Sequence, residues 1–362
     1  MKKVLYLMHI PWDWAKQRPH FIAENLNKYC SVDVYSLKGF NSKLLSKEKK
    51  PNFVKTLYRL PFIKSSISQK FNPYVVGFQL RKVLKNYQYV WITDPLLYSY
   101  IEQILPETSF LIYDCMDDHL SFPDCLSNVR KKEFTYLYEQ KVVDRANKIF
   151  VSSGYLKNVL IERYGHHDYH VLNNGVKSGF NNEVEIDIYD KYSINRNAKV
   201  VTYVGTISEW FDFDLILNSL KCDSTICYLL VGPSDVDIPS HPNILHVGPV
   251  SHNKVFPIMS ASDALIMPFK LNQLIRSVDP VKVYEYIKVN KPTVVIDYDE
   301  VKKFDKFIYL YSCKEKFFDY MSSLVNGGLG PKASQEESVE YISNSTWEVR
   351  AKEINLVLDN KI

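Results

Sequence analysis

Apolar residues in this chain gather into short runs separated by stretches of helical periodicity, the pattern of parallel strands joined by crossover helices. The first run, residues 3–10, stops at Pro11; residues 31–37, 89–93, 110–115, 148–153 and 169–172 follow. A second series opens at 199–205 and continues through 226–232, 243–247, 264–268, 292–296 and 306–311. Between them, helices are predicted after Pro19, where Phe21, Ile22 and Leu26 share a face, and over 133–146, 154–164, 251–261 and 312–326. The turn Asn173-Asn174-Gly175-Val176 precedes a polar stretch, 177–197, and marks a boundary between two domains, 1–178 and 198–344. Trp347, Val349, Ile354 and Leu358 predict a last helix, so residues 345–362 are expected to pack back across the domain junction.

Composition agrees with two cores: 362 residues, 46% hydrophobic and 24% charged. The six cysteines contain no CxxC pair, the opening apolar run is short for a signal peptide, and no window approaches the ~18 apolar residues of a membrane span. A reduced, cytoplasmic protein is the expectation. The net charge of +4 is unevenly spread. Residues 38–88 hold twelve Lys or Arg against the single acid Glu48, interleaved with aromatic residues, and the remainder of the chain is net acidic. Such a segment can rest on an anionic membrane surface, which would make the protein peripheral on the inner face of the plasma membrane. It can also be a solvated basic loop; nucleic acid is the rival partner, but no recognition module accompanies the patch.

Candidate chemistry concentrates where strands end. In residues 260–295 two apolar runs flank a helix that Asp279 can cap, with Pro280 at its first position, Lys282 in the first turn and Glu285 in the second. A helix entrance at a sheet's carboxyl edge offers N–H groups to a phosphate, and Glu285 can accept from a vicinal diol such as a ribose. The plainer reading is a solvated Lys282–Glu285 pair on an ordinary crossover helix. Gly205 allows close approach of backbone to phosphate, with Thr206 or Ser208 as donors. In the first domain Trp12, Asp13, Trp14, Gln17, Arg18 and His20 fall at the sheet's carboxyl edge without a glycine-rich fingerprint. Arg18 can equally pair with a neighbouring acid, and His20 can be a cap. Asp117, Asp118 and His119 form a candidate acid/base cluster, a possible divalent-ion site, or a helix cap.

DPVKVYEYIKVNKPTVV resembles the donor-site helix of GT-B glycosyltransferases, most of all the family 4 type, and WxxQRPHxxA, YVGTISEWFDFDLI, LLVGP, NILHVGPV and SASDALIMPF resemble further segments of bacterial members used in surface polysaccharide synthesis, in family order. The resemblance implies an α/β, GT-B fold: two Rossmann-like, doubly wound parallel-sheet domains facing a cleft, acceptor on the first and nucleotide sugar on the second. It assigns Glu285 to the ribose, Gly205, Thr206, Gly232, Pro280 and Lys282 to nucleotide and phosphate, Asp117 with His20 to the transfer point, and Gln17, Arg18 and Asp118 to the acceptor or phosphate side. Ser277 stands where the family often has a second glutamate, and Glu209, Asp212 and Asp214 where many members carry cations. Lys282, Arg276 or Arg18 would then have to serve the diphosphate. The implied reaction is metal-independent, cofactor-free and retaining transfer from a UDP- or GDP-sugar to a glycan or lipid-linked acceptor. A GT-B sugar-nucleotide epimerase and an inactive GT-B binding module are the alternatives.

Overall fold

The computed structural model describes residues 2–14, 16–38, 50–61, 66–179 and 185–359. Two compact units divide the chain: Met1–Gly175 with Trp347–Ile362, and Val176–Thr346. Of the basic segment, Lys43, Lys47, Lys49, Phe62, Ile63 and Lys64 lie outside the described residues.

The first unit is built on a seven-stranded parallel sheet: β1 Lys3–Met8, β2 Ser31–Lys38, β3 Val54–Tyr58, β4 Tyr89–Ile92, β5 Phe110–Cys115, β6 Lys148–Val151 and β7 Tyr169–Val171, in the order β3-β2-β1-β4-β5-β6-β7. Its strands read as continuous apolar runs because both faces are covered. Leu5, Leu7, Ile92, Tyr113 and Val151 pack on one side. Val4, Tyr6, Trp91, Ile112 and Phe150 pack on the other, where Tyr6, Trp91 and Phe150 stack at 5.4 and 5.2 Å. Trp347 completes that second layer by stacking on Phe21 at 5.3 Å, followed by Ile354 and Leu358 of the helix Trp347–Asp359.

The second unit carries a six-stranded parallel sheet, β8 Lys199–Val204, β9 Ile226–Val231, β10 Ile244–Gly248, β11 Ala264–Met267, β12 Thr293–Ile296 and β13 Tyr309–Tyr311, in the order β10-β9-β8-β11-β12-β13. It too is buried on both faces, by the layers around Val201, Tyr203 and Ile266 and around Val200, Val204 and Leu265. In each sheet the strand order reverses once, between β1 and β4 and between β8 and β11. Those reversals open crevices at the strands' carboxyl ends, the places where open α/β sheets take ligands.

The sequence pattern assigned no element to one region. The basic segment contributes the edge strand β3 and the helix Ser66–Leu80. Pro73 and Gly77, both inside that helix, are breakers that hide its periodicity. Gly77 is used for close packing: a Cβ there would come 3.2 Å from the Tyr100 carbonyl of the neighbouring helix Pro95–Ile101.

Candidate functional site

In the second unit the crevice between β8 and β11 is shaped by the chain's refusal to keep pairing. The two strands are in register only at Val201 with Ala264 and Thr202 with Leu265. Beyond that point Tyr286, from the helix Val281–Val289, brings its hydroxyl to Val204, accepting from the amide at 3.0 Å. That bond fixes the helix against the strand end. One residue earlier, Glu285 lies with its side chain 9% exposed, and Lys282, 32% exposed, donates to Oε2 at 2.7 Å. The pair therefore forms, but as a half-sheltered one at a helix N-terminal turn and not a solvated one. Among the described residues Glu285 Oε1 has no hydrogen-bond partner, so one carboxylate oxygen is held and the other is available.

The turn after β8 supplies the facing wall of this crevice. The Gly205 amide donates to the Val231 carbonyl at 2.9 Å, and Gly232 stands against it so closely that a Cβ at Gly232 would lie 1.9 Å from the Gly205 oxygen. Both glycines have positive φ, 157° and 144°, which side chains rarely tolerate. Gly232 is buried and its carbonyl accepts from His246 Nε2 at 2.8 Å, so its part is to let the turn close, with no group offered to a ligand. Thr206 is exposed and its hydroxyl has no partner among the described residues.

Two expectations for this unit change. Pro280 is the cap residue itself, with Val281 the first helical residue, and Asp279 does not cap: its buried carboxylate accepts from Lys303 at 2.7 Å and Tyr284 at 3.2 Å. Ser277 is buried and donates to the Leu274 carbonyl at 2.7 Å, which turns its hydroxyl to the backbone. Asp212 caps the helix Phe213–Cys222 through the Leu215 amide. Arg276 is exposed on the helix Gln273–Ser277 and, among the described residues, is in no ion pair.

In the first unit the crevice between β1 and β4 gathers groups that the sequence reading singled out and one that it passed over. His9 follows β1, and its Nδ1 meets Thr93 Oγ at 2.8 Å. Thr93 Oγ also lies 3.3 Å from the Leu7 carbonyl, and the other ring nitrogen, Nε2, has no partner among the described residues. Burial lowers the His9 pKa, against the opposing pull of Asp94, which favours the neutral ring. On the next strand, Asp117 is half-buried beyond β5 and its carboxylate has no hydrogen-bond partner among the described residues. Burial pushes its pKa above the usual carboxylate range, more than His119 and Arg18 lower it. His119 is close by, with Nδ1 3.9 Å from Asp94 and a buried Nε2 that meets no partner among the described residues.

Other first-unit candidates are structural. Arg18 is 4% exposed and its guanidinium lies 2.8 Å from Asp114, 2.7 Å from the Leu172 carbonyl and 3.1 Å from Asn174 Oδ1. A guanidinium so committed cannot also serve a diphosphate without abandoning a buried carboxylate. His20, expected at the transfer point, is fully buried; its Nδ1 accepts from the Gln17 amide at 3.2 Å, the reciprocal half of a capping box on the helix Arg18–Leu26. Burial lowers its pKa as well, as a neutral cap requires. Gln17 itself is exposed at that helix entrance. Asp118, expected on the acceptor side, is buried and accepts from Arg163 at 2.9 Å and Ser121 at 2.5 Å; burial raises its pKa, but these hydrogen bonds outweigh it and hold it low.

Cys115, His119 and Glu139 bring metal-ligand atoms within 4.8 Å of one another. Glu139 is already the acceptor for Tyr113 at 3.0 Å, Tyr164 at 2.8 Å and Arg163 at 3.2 Å. A cation there would face the guanidinium, so the arrangement suits a hydrogen-bonded network better than an ion.

No protein-family model matches the sequence. Over 271 residues the chain is 25% identical to a protein of Bacillus subtilis (strain 168) named as a candidate teichuronic acid biosynthesis glycosyltransferase, TuaH; the match takes in 67% of the chain and 65% of that relative, just under two thirds of its length. Solved structures match over the whole chain. A sucrose-phosphate synthase from Thermosynechococcus elongatus superposes with a TM-score of 0.75 at 11% identity, covering 99% of each chain. A trehalose-6-phosphate structure from E. coli bound with UDP-2-fluoro glucose gives 0.73 at 8% identity over 100% of each. Anabaena HepE in complex with UDP and glucose gives 0.68 at 13%, over 99% of this chain and 100% of that one. With two doubly wound sheets, all strands parallel, and this likeness over its full length, the chain has the fold of the GT-B glycosyltransferases.

Proposed function

We propose that the protein is a glycosyltransferase that takes a sugar from a nucleotide-diphosphate donor, with UDP the first candidate, and passes it to a glycan or lipid-linked acceptor in bacterial surface polysaccharide synthesis. The observation that carries this reading is the Lys282–Glu285 pair at the N-terminal turn of a helix beside the second sheet's crevice. Glu285 Oε1 accepts from the ribose diol. Lys282, the free N–H groups of the Val281–Val289 helix and the Thr206 hydroxyl meet the diphosphate, whose charge grows as the glycosidic bond breaks. Solved relatives in fold that hold UDP or a UDP-sugar favour uridine as the base.

In the first unit, the Asp117 carboxylate and the His9 Nε2, taken as the unprotonated nitrogen, suit an incoming hydroxyl that must be oriented and relieved of its proton. Metal-independent, cofactor-free transfer with retention of anomeric configuration is the outcome that the GT-B, family 4 resemblance implies. Calorimetry with UDP, GDP and their sugars is the test. Binding of one nucleotide that is lost in Glu285→Gln supports the reading, and absence of any nucleotide binding by the wild type refutes it. Turnover of the donor without acceptor would point instead to an epimerase.

A further inference from the structure

The helix Ser66–Leu80 turns toward solvent a face that the fold leaves uncovered. Ile67, Phe71, Tyr74 and Phe78 are 68, 48, 65 and 83% exposed. At 3.6 residues per turn these positions fall within an arc of about 60°, so they make a single ridge. Tyr58, at the end of β3 and 58% exposed, extends it. Gln79 holds it there: its amide donates to the Tyr58 carbonyl at 2.7 Å and its Oε1 accepts from the Tyr58 amide at 3.1 Å. Tyr58, Tyr74, Val75 and Phe78 line an open apolar depression beside the ridge. Isolated exposed aromatics are ordinary on a protein surface, but a contiguous stripe of them marks an interaction face.

The surrounding charge says what kind of partner fits. Residues 49–93 contain no Asp or Glu. Lys70, Arg81, Lys82 and Lys85 are exposed, and among the described residues none of them is in an ion pair. A second copy of this chain docked through the same face would set these cations against themselves, which argues against self-association here. A negatively charged lipid surface has no such conflict: rings and Ile67 settle at the headgroup level, and the long cationic side chains reach phosphates around them.

We propose that this face docks on an anionic lipid bilayer, with Phe71, Tyr74 and Phe78 in the headgroup layer and Lys70, Arg81, Lys82 and Lys85 on lipid phosphates. The proposal goes beyond sugar transfer and stands without it. The test is co-sedimentation of the whole protein with phosphatidylcholine vesicles, with and without phosphatidylglycerol, at low and high salt. Binding is expected only with phosphatidylglycerol and should weaken as salt rises. The triple variant Arg81→Gln, Lys82→Gln, Lys85→Gln should bind about a hundredfold more weakly. Phe71→Ser with Phe78→Ser should also release the protein while its melting temperature and nucleotide affinity stay as in the wild type, because these side chains are exposed and lie in the other unit from the nucleotide groups. Equal binding of the wild type to neutral and anionic vesicles, or undiminished binding by both variants, overturns the proposal. So does a ridge-dependent dimer in sedimentation, or a ridge-dependent preference for single-stranded oligonucleotide over anionic vesicles.

Discussion

Lys282 and Glu285 sit one helical turn apart with Nζ 2.7 Å from Oε2, and the lysine engages only one of the two carboxylate oxygens. An oxygen held by a lysine gives the side chain a fixed direction; the other is then pre-aimed for a hydroxyl pair. Replacing Glu285 by glutamine should weaken donor binding by about 1.5 to 3 kcal/mol, the range for a hydrogen bond to a charged group, measured by calorimetry. Unchanged affinity would remove Glu285 from the ribose contact.

Asp117→Asn should lower kcat and leave nucleotide affinity close to wild type, because the carboxylate belongs to the first unit while the donor groups belong to the second. Full activity of the variant would take Asp117 out of the chemistry. Single-turnover rates with saturating donor separate the two effects.

The His9 ring carries a second, pH-dependent expectation. Burial lowers its pKa from the ordinary 6.5, so the ring is neutral at neutral pH, and Nε2 is the nitrogen that faces no partner among the described residues. If that nitrogen takes the acceptor's proton, the rate is level at neutral pH and falls as the pH drops through the lowered pKa. His9→Gln should then give a slower enzyme without this acid limb. A limb that persists in the variant assigns it to another group.

Stability should show a related sign through His20. Its folded pKa is depressed below the unfolded 6.5, so its contribution is fully present above that pH and is lost as the pH falls through the folded value, where the native cap must be protonated against burial. Urea unfolding followed from neutral to mildly acidic pH should therefore lose stability less steeply in His20→Asn than in the wild type. Parallel curves would mean that His20 does not contribute to the acid lability.

Gly232→Ala places a methyl group where the Gly205 carbonyl already stands, 1.9 Å away, at a φ of 144°. Overpacking of this sort costs roughly 1 to 3 kcal/mol, to which the backbone strain adds. Thermal unfolding should report the loss, and the displaced Gly205 turn should reduce nucleotide affinity as well. A variant as stable as the wild type would show that the turn has room to shift.

Much of this is legible in the sequence alone. The strands were readable because a parallel sheet buried on both faces leaves apolar runs such as Ile226–Val231, and the helix at 281–289 was readable from its proline entrance and the spacing of Lys282 and Glu285. What escaped has no local signature. Arg18 meets Asp114 across 96 positions, and only the fold decides that it pairs there rather than facing phosphate. His9 looked like the end of a strand, since its importance comes from Thr93 on the neighbouring strand. The helix Ser66–Leu80 was hidden by its own proline and by an apolar face that points outward, the opposite of what a core-seeking periodicity expects.

Trp347 stacks on Phe21 although the whole of the second unit, and most of the first, separates them in the chain. A ribosome making this protein therefore leaves the places of Trp347, Ile354 and Leu358 in the first sheet's second layer unfilled until the intervening unit has been synthesised. The earlier-made half is the later one to finish, and during that interval it is the natural client for a chaperone.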